Sequence, residues 1–161
     1  MKKTIGKEEE RLYAGKLFDA RRPELKAIKH LVHECCRRYN QLDEWDEERP
    51  EIIQQFIGGI GKNFYFQGPI QFNYGSHTFI GDDFFANFNL LVMDDAKITI
   101  GNHVMIGPNV SLLASNHPLL PDERLRLQYP DGHTSMSEFA KGIEIGDDVW
   151  IAANVSVIDG V

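Results

Sequence analysis

The side chain whose type and position could do chemistry is His117. It precedes Pro118 where a regular six-residue pattern, still visible at Leu112, gives way to an irregular stretch. Imidazole has the unperturbed pKa nearest neutrality, which suits it to taking or giving a proton. A histidine before proline at a loop entrance is more often structural, so it is the break in the pattern that favours a functional role. Amides and carboxylates accompany it: Asn87 and Asn89 earlier in the pattern, Asp94 and Asp95 beyond them, and Glu138 near the end of the irregular stretch. Asn87 and Asn89 also suit coil corners, because asparagine tolerates left-handed backbone.

The elements that must position these groups fall into two regions of different period. Residues 1–60 read as a helical cap. Leu25, Ile28, Val32, Cys35 and Tyr39 recur at helical spacing between Pro23 and Asn40; Ile52, Ile53, Phe56 and Ile57 follow Pro50 before Gly58-Gly59 stop the run. A shorter helical piece is expected around Leu12, Tyr13, Leu17 and Phe18, with Glu8-Glu9-Glu10 and Asp43–Arg49 as solvated faces. Over residues 61–161 the step becomes six: Ile80, Ala86 and Val92, then Ile100, Ile106 and Leu112, then Ile145, Ile151 and Val157, with Tyr74 in the same frame. Gly follows Tyr74, Ile80, Ile100, Ile106 and Ile145. An aliphatic residue, then often Gly, then polar residues is the hexapeptide signature of a parallel β-helix. Each unit makes one short face of a triangular coil, the aliphatic side chain fills the interior, and Gly-Asn or Gly-Asp turns the corner. An antiparallel sheet with frequent turns is the weaker reading. The register slips by two near Asp94–Ile98. Residues 118–142 lose the repeat and carry Pro118, Pro121, Pro130 and Gly132, which predicts a loop extruded from one corner. Loops of that length are usually functional.

Composition excludes several classes. With 42% hydrophobic and 25% charged residues, the 161-residue chain is neither disordered nor collagen-like. A net charge of −7 argues against nucleic acid or an anionic membrane as the main partner. Adjacent Cys35 and Cys36 have no spaced framework and read as reduced thiols. Met1-Lys2-Lys3-Thr4 leads into charge and not into an apolar core, and no eighteen-residue apolar run occurs, so a soluble cytoplasmic protein is expected.

Ala14-Gly15-Lys16-Leu17-Phe18, Arg38-Tyr39-Asn40, Phe84-Phe85-Ala86-Asn87-Phe88-Asn89, Asp94-Asp95, Asn116-His117-Pro118 and Ile145-Gly146-Asp147-Asp148-Val149-Trp150-Ile151 together resemble the maltose/galactoside O-acetyltransferases. The resemblance covers nearly the whole chain. It implies a mainly β fold, a left-handed parallel β-helix with an N-terminal helical cap, and transfer of an acetyl group from acetyl-CoA to a sugar-like hydroxyl without a metal. It further implies a homotrimer with clefts between subunits. By the same comparison His117 is the catalytic base, Asn87 contacts the acceptor and orders the base, and Glu138 orients or stabilises the imidazole. Asp19, Asn73, Phe85 and Asp95 fall at acceptor-binding positions, while Trp150 and the backbone of Ala153 fall beside the thioester of the coenzyme.

Departures from the family pattern bear on the acceptor. Lys29 stands in place of an Arg, Asn73 in place of Ser or Asp, and the stretch from His117 to Ile145 is longer than in the sugar enzymes. The chain stops in mid-repeat at Asp159-Gly160-Val161, where the family continues through further coils and a basic tail; either a truncation or a partner covering the end is therefore expected. Two other readings exist. One is a structural or impaired trimer without full coenzyme A binding. The other is a zinc enzyme of the carbonic anhydrase type using His77, His103, His117 and His133, whose spacings do not match the ligand pair that such enzymes place in one coil.

Overall fold

The computed structural model describes residues 7–125, 127–129 and 131–161; Met1–Gly6, and with them the reading of the first four residues, lie outside it, as do Arg126 and Pro130. Three parallel sheets form the faces of a triangular prism. Face 1 is β1 (Gly59–Ile60), β4 (Thr78–Ile80), β7 (Ile98–Ile100) and β14 (Ile143–Ile145). Face 2 is β2 (Tyr65–Phe66), β5 (Phe85–Ala86), β8 (Met105–Ile106) and β15 (Trp150–Ile151). Face 3 is β3 (Ile70–Phe72), β6 (Leu90–Met93), β9 (Ser111–Leu113) and β16 (Ser156–Ile158). The chain visits the faces in turn as a left-handed parallel β-helix.

Stacking is in register. Ile60, Ile80, Ile100 and Ile145 align on face 1. Phe66, Ala86, Ile106 and Ile151 align on face 2, and Phe72, Val92, Leu112 and Val157 on face 3. A full coil from Ile60 to Ile80 takes 20 residues, not three sixes. Two corners keep the six-residue step, and the corner from face 3 back to face 1 holds two residues more. This wide corner corrects the frame at Tyr74: the interior position of that repeat is Phe72, and Tyr74 is a buried corner residue. The solenoid also begins a coil before Tyr74, at Gly59, because Phe64, Phe66 and Phe72 replace aliphatic residues there and hide the repeat.

At the narrow corners the left-handed residues are not glycine. Asn63, Asp83, His103 and Asp148 take positive φ at one corner, and Asn89, Asn109 and Asn154 at the other. Glycine serves close approach instead: a Cβ on Gly81 would sit 2.8 Å from the carbonyl carbon of Gly101. The three corner asparagines form an amide ladder, with Asn89 donating to Asn109 at 2.8 Å and Asn109 to Asn154 at 3.1 Å.

The cap comprises α1 (Lys7–Tyr13), α2 (Pro23–Gln41) and α3 (Glu48–Phe56). Among the described residues no helix is long and apolar enough to cross a membrane. Leu25, Val32, Cys35, Cys36 and Tyr39 of α2 and Ile52, Ile53 and Phe56 of α3 pack into the first coil. The Asn40 side-chain amide pairs with both the N–H and the C=O of Ile70, so the end of α2 occupies the open edge of β3. The expected helix through Phe18 stops at Tyr13, since Gly15 turns left-handed and Phe18 joins a strand bridge to Glu138.

Of the acidic run only Glu10 is exposed as expected. Glu8 and Glu9 are buried: Glu8 accepts the Asp19 N–H at 3.2 Å, and Glu9 reaches Nε2 of the fully buried His77 at 3.2 Å. Arg49, expected as surface, is also buried and donates to the carbonyls of Glu44, Phe66 and Gln67. His77 Nδ1–H donates to the Asp94 carbonyl at 2.8 Å, so this one ring ties α1 to the wide corner. Removing one partner of a buried hydrogen bond costs about 1–3 kcal/mol. Glu9→Ala should lower stability by about that amount and Glu9→Gln, which keeps an acceptor, by less than half as much; urea unfolding of the two variants checks it.

Candidate active site

The extra residues of the wide corner bring polar groups together. In the first coil the corner holds Asn73 and Tyr74, and in the second it holds Asp94 and Asp95. Asp94 is fully buried and accepts from the Tyr74 N–H at 2.7 Å and from the Thr78 hydroxyl at 2.9 Å. Burial pushes its carboxyl pKa up. Asn73 Nδ2 donates to both oxygens of buried Asp95, at 3.1 and 3.0 Å. Burial raises the Asp95 pKa to about 7, the Asn73 bond opposing it and the Glu138 charge adding to it. Lys29, noted as a departure from the family, lies 5.6 Å from the Tyr74 ring centre. The Tyr74 hydroxyl is buried without a hydrogen-bond partner among the described residues.

The third coil opens at this same corner. Ile100 pairs with Ile145, 45 residues on where the other coils take 20, so 25 residues leave the solenoid there. The extrusion contains α4 (Pro121–Leu125) and a hairpin of β11 (Leu127–Gln128) and β12 (Thr134–Ser135). It returns through β13 (Phe139–Ala140), antiparallel to β10 (Ser115–Asn116). Asn116 faces Phe139 in that pairing, which brings His117 close to Ser137 and Glu138. His117 Nδ1–H donates to the Ser137 carbonyl at 2.9 Å. The ring is exposed, and its Nε2 makes no hydrogen bond among the described residues. Burial raises the Glu138 pKa, while the His117 and Lys29 charges oppose the rise.

Asp19 reaches the same neighbourhood through the Phe18–Glu138 bridge, but both its oxygens have protein partners. Oδ1 accepts from the Arg21 backbone at 3.0 Å and Oδ2 lies 3.0 Å from His133 Nε2. Burial pushes its pKa up, yet hydrogen bonds from His133, Arg21 and Ser135 prevail and hold it down at about 2.

The remaining candidates lie elsewhere on the prism. Phe85 is on face 2, stacked on Tyr65 with centroids 6.1 Å apart, and Trp150 is 73% exposed on the same face. Asn87 and Ala153 sit at the corner between faces 2 and 3, where the side-chain Oδ1 of Asn87 accepts the Phe88 N–H at 2.7 Å. Asn87 does not have positive φ; Asn89 does, so the corner role belongs to Asn89. The width of face 3, six residues at about 3.3 Å or roughly 20 Å, separates this group from His117. One chain therefore brings His117, Glu138, Asn73, Asp95 and Asp19 into one region and leaves Phe85, Asn87, Trp150 and Ala153 in another. The cavity of about 280 Å³ beside Tyr39, Trp45 and Tyr65 involves none of the candidates. Sequence reasoning missed the Ser137 carbonyl, a backbone group without a side-chain signature, and the engagement of Asp19 by His133. The four histidines of the zinc reading lie apart, and among the described residues no three His, Cys, Asp or Glu are grouped to hold a metal.

The coil of hexapeptides with an extruded loop fixes the fold, and comparison with known proteins gives the family. The maltose acetyltransferase hexapeptide capping motif matches residues 11–61. The galactoside O-acetyltransferase of Escherichia coli is 34% identical over 153 residues, covering 94% of this chain and 71% of that protein. The solved galactoside acetyltransferase in complex with coenzyme A superposes with a TM-score of 0.85 at 32% identity, over 96% of this chain and 74% of that one. A hexapeptide-repeat-containing acetyltransferase from Vibrio cholerae complexed with acetyl coenzyme A gives 0.80 at 30% identity, over 96% and 79%. The chain belongs to the maltose/galactoside O-acetyltransferase family.

The Asp95 environment has a consequence for stability. Its folded pKa stands above the unfolded value, so the folded state holds a proton that the unfolded chain releases between pH about 4 and 7. Stability contributed by this group therefore falls as pH rises through that window. Asp95→Asn should be more stable than the parent by about 2–4 kcal/mol at pH 8 and nearly equal to it at pH 4; thermal unfolding at the two pH values checks it.

Proposed function

We propose that the protein moves an acetyl group from acetyl-CoA to a hydroxyl of a sugar or sugar-like acceptor, with His117 as general base, in a cleft shared between subunits of a homotrimer. The observation that carries this reading is the bond from His117 Nδ1–H to the Ser137 carbonyl. A carbonyl only accepts, so Nδ1 keeps its proton and Nε2 presents a lone pair to the exposed side. A sugar hydroxyl is a weak nucleophile until such a base takes its proton. As the oxygen bonds to the thioester carbon, the proton passes to Nε2, and Glu138 across the strand pair stabilises the resulting imidazolium. The tetrahedral intermediate then expels the coenzyme A thiolate, to which the imidazolium returns the proton. The Ala153 backbone is the candidate donor to the oxyanion. Asn73 and Asp95 offer polar contacts to the acceptor, with Asn87 and Phe85 beside them from the neighbouring chain. Two solved relatives hold coenzyme A or acetyl coenzyme A, which supports the donor.

The split of the candidates supports the trimer. Face 2 presents Tyr65, Phe85, Met105 and Trp150 as an outward apolar strip, and Met105 is 51% exposed. A second copy seated there would bring Phe85, Asn87 and Trp150 opposite the wide corner of its neighbour, and a closed three-fold ring repeats the contact without a free end.

His117→Ala should lower kcat by about 10²–10⁴-fold with unchanged folding; steady-state kinetics with acetyl-CoA and methyl β-galactoside or maltose, on protein free of parent enzyme, checks it. A shared cleft has its own signature. Co-refolding His117→Ala with Asn87→Ala at equal amounts should recover roughly a quarter of parental activity, since one interface in four then unites two intact halves. Recovery no greater than the sum of the separate variants would place both residues in one subunit's site.

A further inference from the structure

We propose that His133 is a positioning residue for the reaction: lodged between Asp131 and Asp19, it clamps the extruded loop onto the cap and thereby holds Ser137 and Glu138 against His117. This rests on the acetyl-transfer reading given above. His133 Nδ1 lies 2.6 Å from Asp131 Oδ1 within the loop, and Nε2 lies 3.0 Å from Asp19 Oδ2 on the cap. Both neighbours are carboxylates, so the arrangement is complete only when each ring nitrogen carries a proton. Arginines and a tyrosine hold the two carboxylates and the ring in place. Arg22 neutralises the other oxygen of Asp131 at 3.0 Å and lies 4.7 Å from the Tyr129 ring centre, and Tyr129 stacks on His133 at 4.5 Å. Arg21 holds the far oxygen of Asp19 and reaches the Thr134 carbonyl at 3.3 Å. Glu8, beneath Asp19, accepts its N–H.

The clamp and the candidate base are joined by a short stretch of chain. From Thr134 the chain runs through Ser135 to Ser137, whose carbonyl fixes the His117 tautomer, and to Glu138, bridged to Phe18 one residue before Asp19. The loop is thus attached to the cap on both sides of Asp19. Asp19 is correspondingly committed to the loop, which separates this chain from a site in which that carboxylate is open to the acceptor.

The charges fix the direction of the pH response. Hydrogen bonds to Asp131 and then Asp19 raise the His133 pKa, with the Arg22 charge opposing. The clamp is therefore intact below the His133 pKa and lost as pH rises through it. His117 as base needs the neutral ring, so the rate rises with pH first and falls when the clamp releases.

The test is the pH profile of kcat with acetyl-CoA and maltose or methyl β-galactoside, together with NMR titration of the histidine ring protons. The parent should give a bell. His133→Gln should lower kcat about tenfold at pH 7, leave KM for acetyl-CoA within twofold, and abolish the alkaline limb. His133→Lys should restore most of the rate and extend the plateau to higher pH. Should His133→Gln fail to fold, Asp131→Asn, at an exposed position, takes its place; the alkaline limb and the His133 titration should then both move to lower pH. A parental profile in either variant, or a His133 titration unmoved by Asp131→Asn, overturns the clamp. Loss of the acid limb alone in the parent would count against His117 as base and leave the clamp standing. With neither sugar accepted, the NMR titration decides the clamp by itself.

Discussion

The in-register stacking of 20-residue coils is the constraint from which the site follows. Each coil hydrogen-bonds to the next through three parallel strands, and each interior position meets its counterpart one coil away. Such stacking leaves no freedom to absorb extra residues within a face, so departures from the six-residue step must leave at a corner. Two of the three corners have left-handed Asn, Asp or His residues with side-chain ladders on them. The third accepts two extra residues at two of its crossings and 27 at the other. Buried Asp94, Asp95, His77 and Tyr74 and the exposed His117 all lie on that edge, where among the described residues the chain departs from the repeat.

The cap and the solenoid are coupled through polar groups that neither could bury alone. Glu9 is buried only because His77 meets it, and Arg49 only because the carbonyls of the first coil accept from it. Buried polar groups of this kind cost stability unless paired, so they specify one docking of the cap. The same economy appears at Asp95, whose one side-chain partner among the described residues is Asn73 and whose raised pKa reflects burial that hydrogen bonding does not offset. A carboxyl kept in that condition is a cost to folding that a ligand-binding site can bear.

The later coils were legible in the sequence because Ile-Gly-Asn and Ile-Gly-Asp keep the interior and corner chemistry visible. The first coil was not, since Phe66 and Phe72 fill the interior with rings. The wide corner was half legible: its two extra residues appeared as a slip near Asp94–Ile98, yet at the preceding coil Tyr74 fell by coincidence six residues before Ile80 and looked regular. His117 could be singled out by its place at the break. Its pairing with Ser137 and Glu138 depends on an antiparallel register formed after a long excursion, which local pattern does not encode. The burial of Glu8 and Glu9 was hidden for a similar reason, the partner of Glu9 lying 68 residues away.

The resumption of register after the excursion, with Ile143 and Ile145 on Ile98 and Ile100, separates two kinds of change that most folds couple. Closing 45 residues in place of 20 costs only about 0.7 kcal/mol of chain entropy, because that cost grows with the logarithm of length. Loop length and composition can therefore drift, lengthen or be exchanged while the hydrophobic interior stays as it is. Novelty in what the protein acts upon has an inexpensive place to arise, beside the histidine and outside the scaffold that carries it.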